Sequence, residues 1–228
     1  MKINTKKVMM GLVLPVATLL LAGCDANETI DEIIDDSDKS RSAVVNYINS
    51  ADTAMDFHIK SPIYNSDIYQ DKHLVTAVLA GEVSIGLLHS WVDYSDTEQS
   101  KFAMTDSNSK TIKVDTQFEL ADKKEYWSIG WLDNATYQQT TFLKQQNNEQ
   151  SKYSIRVFAN TAYSLQRIGE NAELPATEAG VISDSFIIDE CNDLYVDGKQ
   201  IDICSMVEVS SSYLLVVNKD GLVVAVKE

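Results

Sequence analysis

Cys191 and Cys204 are the residue pair with the clearest chemistry. Between them runs Asn192 to Ile203, with Asp197-Gly198 at its middle. Asp-Gly flanked by alternating residues signals a two-residue type I′ hairpin. That turn fixes the register: Val196 faces Lys199, Tyr195 faces Gln200, Leu194 faces Ile201 and, counting outward, Cys191 faces Cys204. The cysteines then fall on a non-hydrogen-bonded pair with Cα atoms about 4.5 Å apart, inside disulfide range. The same register places Asn192, Leu194, Val196, Lys199, Ile201 and Ile203 on a core face and the cystine on the solvent face. A redox-active role is disfavoured, because the spacing is far from C-x-x-C and no helix start is at hand to lower a thiol pKa.

The other candidates are thinner. Gly81-Glu82-Val83-Ser84-Ile85-Gly86 resembles a nucleophile elbow but lacks the G-x-S-x-G spacing and a strand-turn-helix context. Ser107-Asn108-Ser109-Lys110 satisfies S-x-x-K in a polar turn with no partner motif. His58, His73 and His89 have no metal-ligand spacing. Asp184, Asp189, Glu190, Asp193 and Asp197 concentrate carboxylates without the spacing of a calcium loop, so a solvated acidic face is expected. Trp127 and Trp131, with Trp91 and Tyr94 elsewhere, are candidate stacking aromatics for a glycan, although Ile129 between the first two argues for a dry face. No residue is expected to be catalytic, and no metal or cofactor is expected.

These side chains need strands to position them. Alternating or β-branched runs recur at Ala43 to Ile48, Met55 to Lys60, Leu74 to Leu79, Thr111 to Leu120, Tyr126 to Leu132, Tyr153 to Ala159, Tyr213 to Val217 and Leu222 to Val226. Asn, Asp, Ser and Gly clusters separate them, and no comparably long helical period occurs. The pattern predicts an all-β chain of antiparallel sandwiches. Asn218 to Gly221 reads as a type I turn with Gly221 at positive φ and a bulge, joining two strands apolar on both faces, hence central or covered. The polar tract Lys144 to Lys152 holds no apolar residue and divides two modules, 41–146 and 151–228. A faint repeat, Ser42 to Asn49 against Ser154 to Thr161, supports the division.

At the N-terminus, Lys2, Lys6 and Lys7 precede a short apolar run, Val8 to Leu21, that contains Pro15 and is too short to span a bilayer. It ends Leu21-Ala22-Gly23-Cys24, which resembles the lipobox of bacterial lipoproteins. The resemblance implies a signal peptide at 1–23, cleavage before Cys24, and a diacylglycerol and a fatty acyl chain such as palmitate on that residue, which would hold the chain to a membrane. Asp25 resembles an inner-membrane retention signal, with the outer membrane as the alternative. Removing 1–23 takes three lysines and no acids and moves the net charge from −15 to −18, which would repel nucleic acid. Residues 24–40 are acidic and read as an extended tether, or as a short helix around Ile30, Ile33 and Ile34.

Val44 to Ile59, Phe118 to Ile129 and Asp193 to Lys199 resemble the opening strands, late strand and V-Y-V-D-G-K element of domain-of-unknown-function family 4397. That resemblance covers most of residues 41–228. It implies immunoglobulin-like β-sandwich modules of bacterial surface and periplasmic proteins, and carries no catalytic residues. The expected function is a lipid-anchored, periplasm-facing binding or scaffolding protein with an envelope protein or glycan as partner. An adhesin-like glycan- or peptide-binding module is the second reading, and an envelope enzyme the third.

Overall fold

The computed structural model describes residues 40–92, 97–167 and 173–228. The expected signal peptide, Cys24, the expected tether up to residue 39 and Tyr94 lie outside the described residues, and Ser40, the last residue assigned to that tether, opens the first strand. Sixteen strands are described. The first half holds β1 (Ser40–Asn49), β2 (Met55–Lys60), β3 (Leu74–Val78), β4 (Leu87–Val92), β5 (Thr97–Asp106), β6 (Lys113–Ala121), β7 (Glu125–Asp133) and β8 (Thr136–Leu143). The second holds β9 (Tyr153–Ala159), β10 (Tyr163–Arg167), β11 (Glu173–Thr177), β12 (Phe186–Ile188), β13 (Leu194–Val196), β14 (Lys199–Ile201), β15 (Ser211–Asn218) and β16 (Gly221–Lys227). The fold is all-β and of sandwich type, as the alternation predicts.

The two halves have one topology. Sheets β4-β1-β7-β8 and β3-β2-β5-β6 make the first, and β12-β9-β15-β16 with β11-β10-β13-β14 repeat the same order eight strands later. Each pair of sheets closes on its own core. Val45, Tyr47, Phe57, Phe102, Met104 and Leu120 fill the first, and Ile155, Val157, Leu165, Leu194, Ile201 and Leu215 the second. Pairing is antiparallel except in one place per half, where β1 runs parallel to β7 and β9 parallel to β15.

Hydrogen bonds fix the equivalence of the halves. The amide of Tyr47 donates to Ser84 Oγ at 2.9 Å and that of Val157 to Ser183 Oγ at 2.8 Å. Ser84 N and Ser183 N donate back to the carbonyls of Tyr47 and Val157. Tyr47 therefore matches Val157, whereas the repeat read from Ser42 and Ser154 pairs Tyr47 with Ala159, two positions off. A second signature recurs five residues apart: Ala121 N donates to Tyr126 Oη at 2.8 Å and Glu208 N to Tyr213 Oη at 2.6 Å. These are corner tyrosines of the kind that pin a strand to the turn before it in sandwich folds.

A third apolar cluster joins the halves. Ile48, Trp127, Ile129, Trp131 and Phe142 on the outer face of the first sheet meet Phe158, Leu214 and Val216 on the outer face of β9 and β15. Residues 39–228 accordingly form one compact unit. Of the final hairpin, β15 is central and fully buried along Ser211 to Val217, while β16 is an edge strand, half-buried against this cluster. Gly221 has φ +133°, and the register slips by one between Val216 and Val217, as a bulged turn requires.

Candidate functional site

The Asp197-Gly198 turn has both residues at positive φ, +47° and +72°. Leu194 pairs with Ile201, Tyr195 with Gln200 and Val196 with Lys199. Cys191 and Cys204 are joined as a disulfide with Cα atoms 4.9 Å apart. Leu194, Val196, Ile201 and Ile203 are buried. Asn192 and Lys199 are exposed, contrary to the expected core face. The ladder stops at Leu194, because the Asp193 amide donates to Glu190 O and its carboxylate accepts the Glu190 amide at 3.1 Å. That tight turn rotates Asn192 outward and leaves Cys191 half-buried against the second core. Asp197 Oδ1 accepts the amide of Ser164 at 2.7 Å, tying the hairpin tip to β10.

The tryptophans offer no open ring face. Trp91 is 4% exposed in the first core, and Trp127 and Trp131 are 2% and 6% exposed in the seam between the halves. A glycan stacked on any of them would displace packed side chains, so the structure argues against the three as a stacking platform. The dry face expected from Ile129 is there, but its cover is the second half of the chain.

The serine motifs are engaged in holding the fold, Ser84 through the backbone and Ser107 through a side chain. Ser84 accepts the Tyr47 amide and donates to Ile85 O at 3.0 Å. Its counterpart Ser183 donates to Asp184 O at 2.9 Å. The elbow-like sequence is therefore a repeated loop, Ala80-Gly81-Glu82-Val83-Ser84 and Ala179-Gly180-Val181-Ile182-Ser183, which the sequence shows and which sequence reasoning missed. Ser107 Oγ donates to Asp56 Oδ1 at 2.6 Å, and Lys110 Nζ reaches Asp56 Oδ2, so S-x-x-K clamps the β5–β6 turn to β2. Asp106 accepts the amides of Ser109, Lys110 and Ile112, and these bonds hold its carboxyl well below the usual range.

Each histidine has a different setting. His89 Nε2 lies 3.3 Å from both Glu98 Oε1 and Ser100 Oγ, and Ser100 donates to that same carboxylate oxygen at 2.8 Å. One ring nitrogen facing both partners is not a relay, which needs the acid and the hydroxyl on opposite nitrogens. Burial opposes the Glu98 charge, but bonds from His89, Ser100 and Ser61 outweigh it and hold the carboxyl below its ordinary value. His73 Nε2 is 2.8 Å from Ser66 Oγ. His58 is 2% exposed, and neither of its ring nitrogens has a protein partner. Among the described residues no three His, Cys, Asp or Glu gather as a metal site, and Asp189, Asp193 and Asp197 bond separately to Lys152, Glu190 and Ser164. An open pocket of about 360 Å³ is lined by Arg41, Thr97, Ala121, Asp122 and Lys123.

The polar feature that sequence reasoning missed altogether is Glu228. Its side chain is 1% exposed and lies 2.6 Å from Arg156 Nη2. Glu228 Oε1 accepts from Arg156 Nε at 2.7 Å and Oε2 from Trp127 Nε1 at 3.0 Å. Arg156 also donates to Leu143 O at 3.0 Å. The polar tract between the modules is drawn into the same network: Gln145 N donates to Glu228 Oε2, Gln146 Nε2 to Glu228 O and Asn147 N to Ser212 Oγ. At the other end of the seam Ser50 Oγ donates to Asn160 Oδ1 at 3.1 Å and Asn160 Nδ2 to Ser50 O at 3.2 Å. The one available signal was Arg156, a cation set in the otherwise apolar run Ile155 to Ala159.

No family model and no curated protein matches this chain. Among the described residues no helix is long and apolar enough to cross a membrane.

Proposed function

We propose that this chain is a cell-envelope lipoprotein, held to a membrane through Cys24 and acting by binding or scaffolding, with modules of the family 4397 kind. The observation that carries the reading is the seam. Facing sheets with an apolar centre and polar ends join the two sandwiches into a single stack, and such a stack suits a platform that holds partners at a fixed distance from the membrane. The hydroxyls and charges with catalytic potential, Ser84, Ser107, Lys110 and Asp56, are engaged in holding the fold. The inner membrane is favoured through Asp25. The Cys191–Cys204 bridge suits an oxidising compartment.

A second reading, peptide binding, draws on β4. This edge strand carries no charge or proline, and its outward Leu88 and Val92 are each 69% exposed. An extended segment of another protein could add to such an edge.

Acyl labelling in the native host, comparing the wild type with Cys24→Ala, tests the anchor. The wild type should incorporate label and fractionate with membranes, and the variant should do neither. Labelling of Cys24→Ala, or an unlabelled wild type, would end the lipoprotein reading. Crosslinking in the intact envelope, read by mass spectrometry, should recover a defined protein or glycan partner with the wild type and lose it with the unanchored variant.

A further inference from the structure

The outer face of β2 and β5 carries a run of polar residues in facing rows. Asp56 lies opposite Thr105, His58 opposite Ala103 and Lys60 opposite Lys101. Thr105 and Ala103 face Lys113 and Asp115 of β6 in turn. An outer sheet face of this composition ordinarily meets water. Here His58 and Thr105 are each 2% exposed and Ala103 is fully buried.

The cover is the long connection from Ser61 to His73. Ile68 anchors it at 3% exposure. The Tyr69 ring lies 6.1 Å from the His58 ring, and Lys113 Nζ sits 4.8 Å from its centroid. Because β5 runs between β2 and β6, a ring that reaches both His58 and Lys113 spans Ala103 and Thr105. Lys60 Nζ donates to Ser66 O at 2.6 Å, and His73 is tied to Ser66 Oγ. Burial raises the Tyr69 hydroxyl to about 12. At the outer end of the cover Ile63 and Tyr64 are 76% and 56% exposed.

The underside is unsatisfied. His58 Nδ1, His58 Nε2 and Thr105 Oγ1 each have less than 1 Å² of exposed surface and no protein hydrogen-bond partner. Buried polar groups are ordinarily paired, and a closed cover forfeits the bonds that water would give these atoms once it opens. Apolar packing at Ile68 and Tyr69 is thus set against unmet polar demand beneath it.

We propose that the Ser61–His73 segment is an acid-released cover, which lifts from β2 and β5 when His58 takes up a proton. The charged groups around His58 come from every packed element. Asp56 and Lys60 stand on its own strand, Lys101 on β5, Lys110 in the β5–β6 turn, Lys113 and Asp115 on β6, and Asp67, Asp71, Lys72 and His73 on the cover. Burial lowers the His58 pKa first and foremost; Asp56 and Asp71 work against this, and Lys110 and His73 reinforce it. His73 is likewise lowered, by burial and then by Lys72 and Lys60. The sign follows. A histidine with a depressed pKa in the closed form favours closure above the open-state value of about 6.5, and that preference is lost as pH falls toward the closed-form value.

Hydrogen-exchange protection factors, corrected for intrinsic pH dependence, test this on the folded, disulfide-closed protein. The His73 amide, which donates to Gln70 O, is the reporter. Its protection should fall by up to about tenfold between pH 7.5 and 5.5. Thr105→Val should raise protection at both pH values and leave the slope intact. His58→Leu should raise it at neutral pH and remove most of the slope. Carbon-13 NMR of the histidine rings, which needs no variant, should place the His58 titration below 6.5. A flat wild-type profile, an undiminished slope in His58→Leu, or a His58 titration at or above 6.5 would overturn the proposal.

Discussion

Cys191 and Cys204 lie beyond the end of a short ladder, the first half-buried against the second core and the other exposed, so the bond between them acts chiefly as a crosslink of the chain. Replacing both with serine should cost about 2–3 kcal/mol, mainly by freeing the unfolded chain. Strands β13 and β14 should remain paired, since Leu194, Val196, Ile201 and Ile203 stay packed. Urea titration of the variant beside the oxidised parent checks this, and a loss of fold instead of a shifted midpoint would disprove it. At this scale the sequence is legible wherever a local rule fixes geometry. A two-residue turn dictates which cysteines meet. Nothing local dictates that Glu190 and Asp193 close a turn of their own, so Asn192 points the wrong way in a reading that extends the ladder past Leu194.

Strands show what alternation reveals and what it hides. Met55–Lys60 and Tyr153–Ala159 match their expected bounds, because Met55, Phe57 and Ile59 alternate strictly with polar residues in the first and Ile155, Val157, Phe158 and Ala159 dominate the second. β5 and β8 escape notice because they bury polar residues. Glu98 and Ser100 of β5 bond to His89, and Gln139 and Thr141 of β8 bond to Ser128 at 3.0 Å each. A hydrophobicity pattern cannot foresee cross-strand partners of that kind. The parallel ladders are hidden for a similar reason, since pairing direction between strands far apart in sequence leaves no local mark.

The repeated loop offers a controlled comparison between equivalent positions. Gly81 and Gly180 both have positive φ, +77° and +72°, so an alanine at either meets the left-handed penalty of about 1–2 kcal/mol. A Cβ at Gly81 would have nothing within 4 Å, whereas one at Gly180 would fall within 3.0 Å of three Trp131 ring atoms. Gly180→Ala should therefore cost roughly a further 1–3 kcal/mol from displacing that ring. Equal losses for the two variants in chemical denaturation would mean that Trp131 does not seat the second half on the first.

For the whole molecule, the buried Arg156–Glu228 pair decides whether two sandwiches behave as one. Arg156→Met leaves a carboxylate among Trp127, Gln145 and apolar neighbours and should cost about 3–5 kcal/mol. Adding Glu228→Gln should restore part of that loss, because the stranded charge is gone. A double-mutant cycle with strictly additive costs would show that the pair is not coupled. Two modules divided by a polar tract are visible in the sequence; their fusion is not, because a seam built from outward-facing residues of distant strands has no linear signature.

The parallel ladders bear on how the fold takes a load. The chain enters the described structure through β1, which is held between antiparallel β4 and parallel β7. Tension arriving along the chain ahead of Ser40 would pull β1 lengthwise against both neighbours, so that the cross-strand bonds share the strain together instead of parting one after another as in a zipper. A protein tethered at that end would meet drag as a shear-loaded clamp, with β1 yielding late.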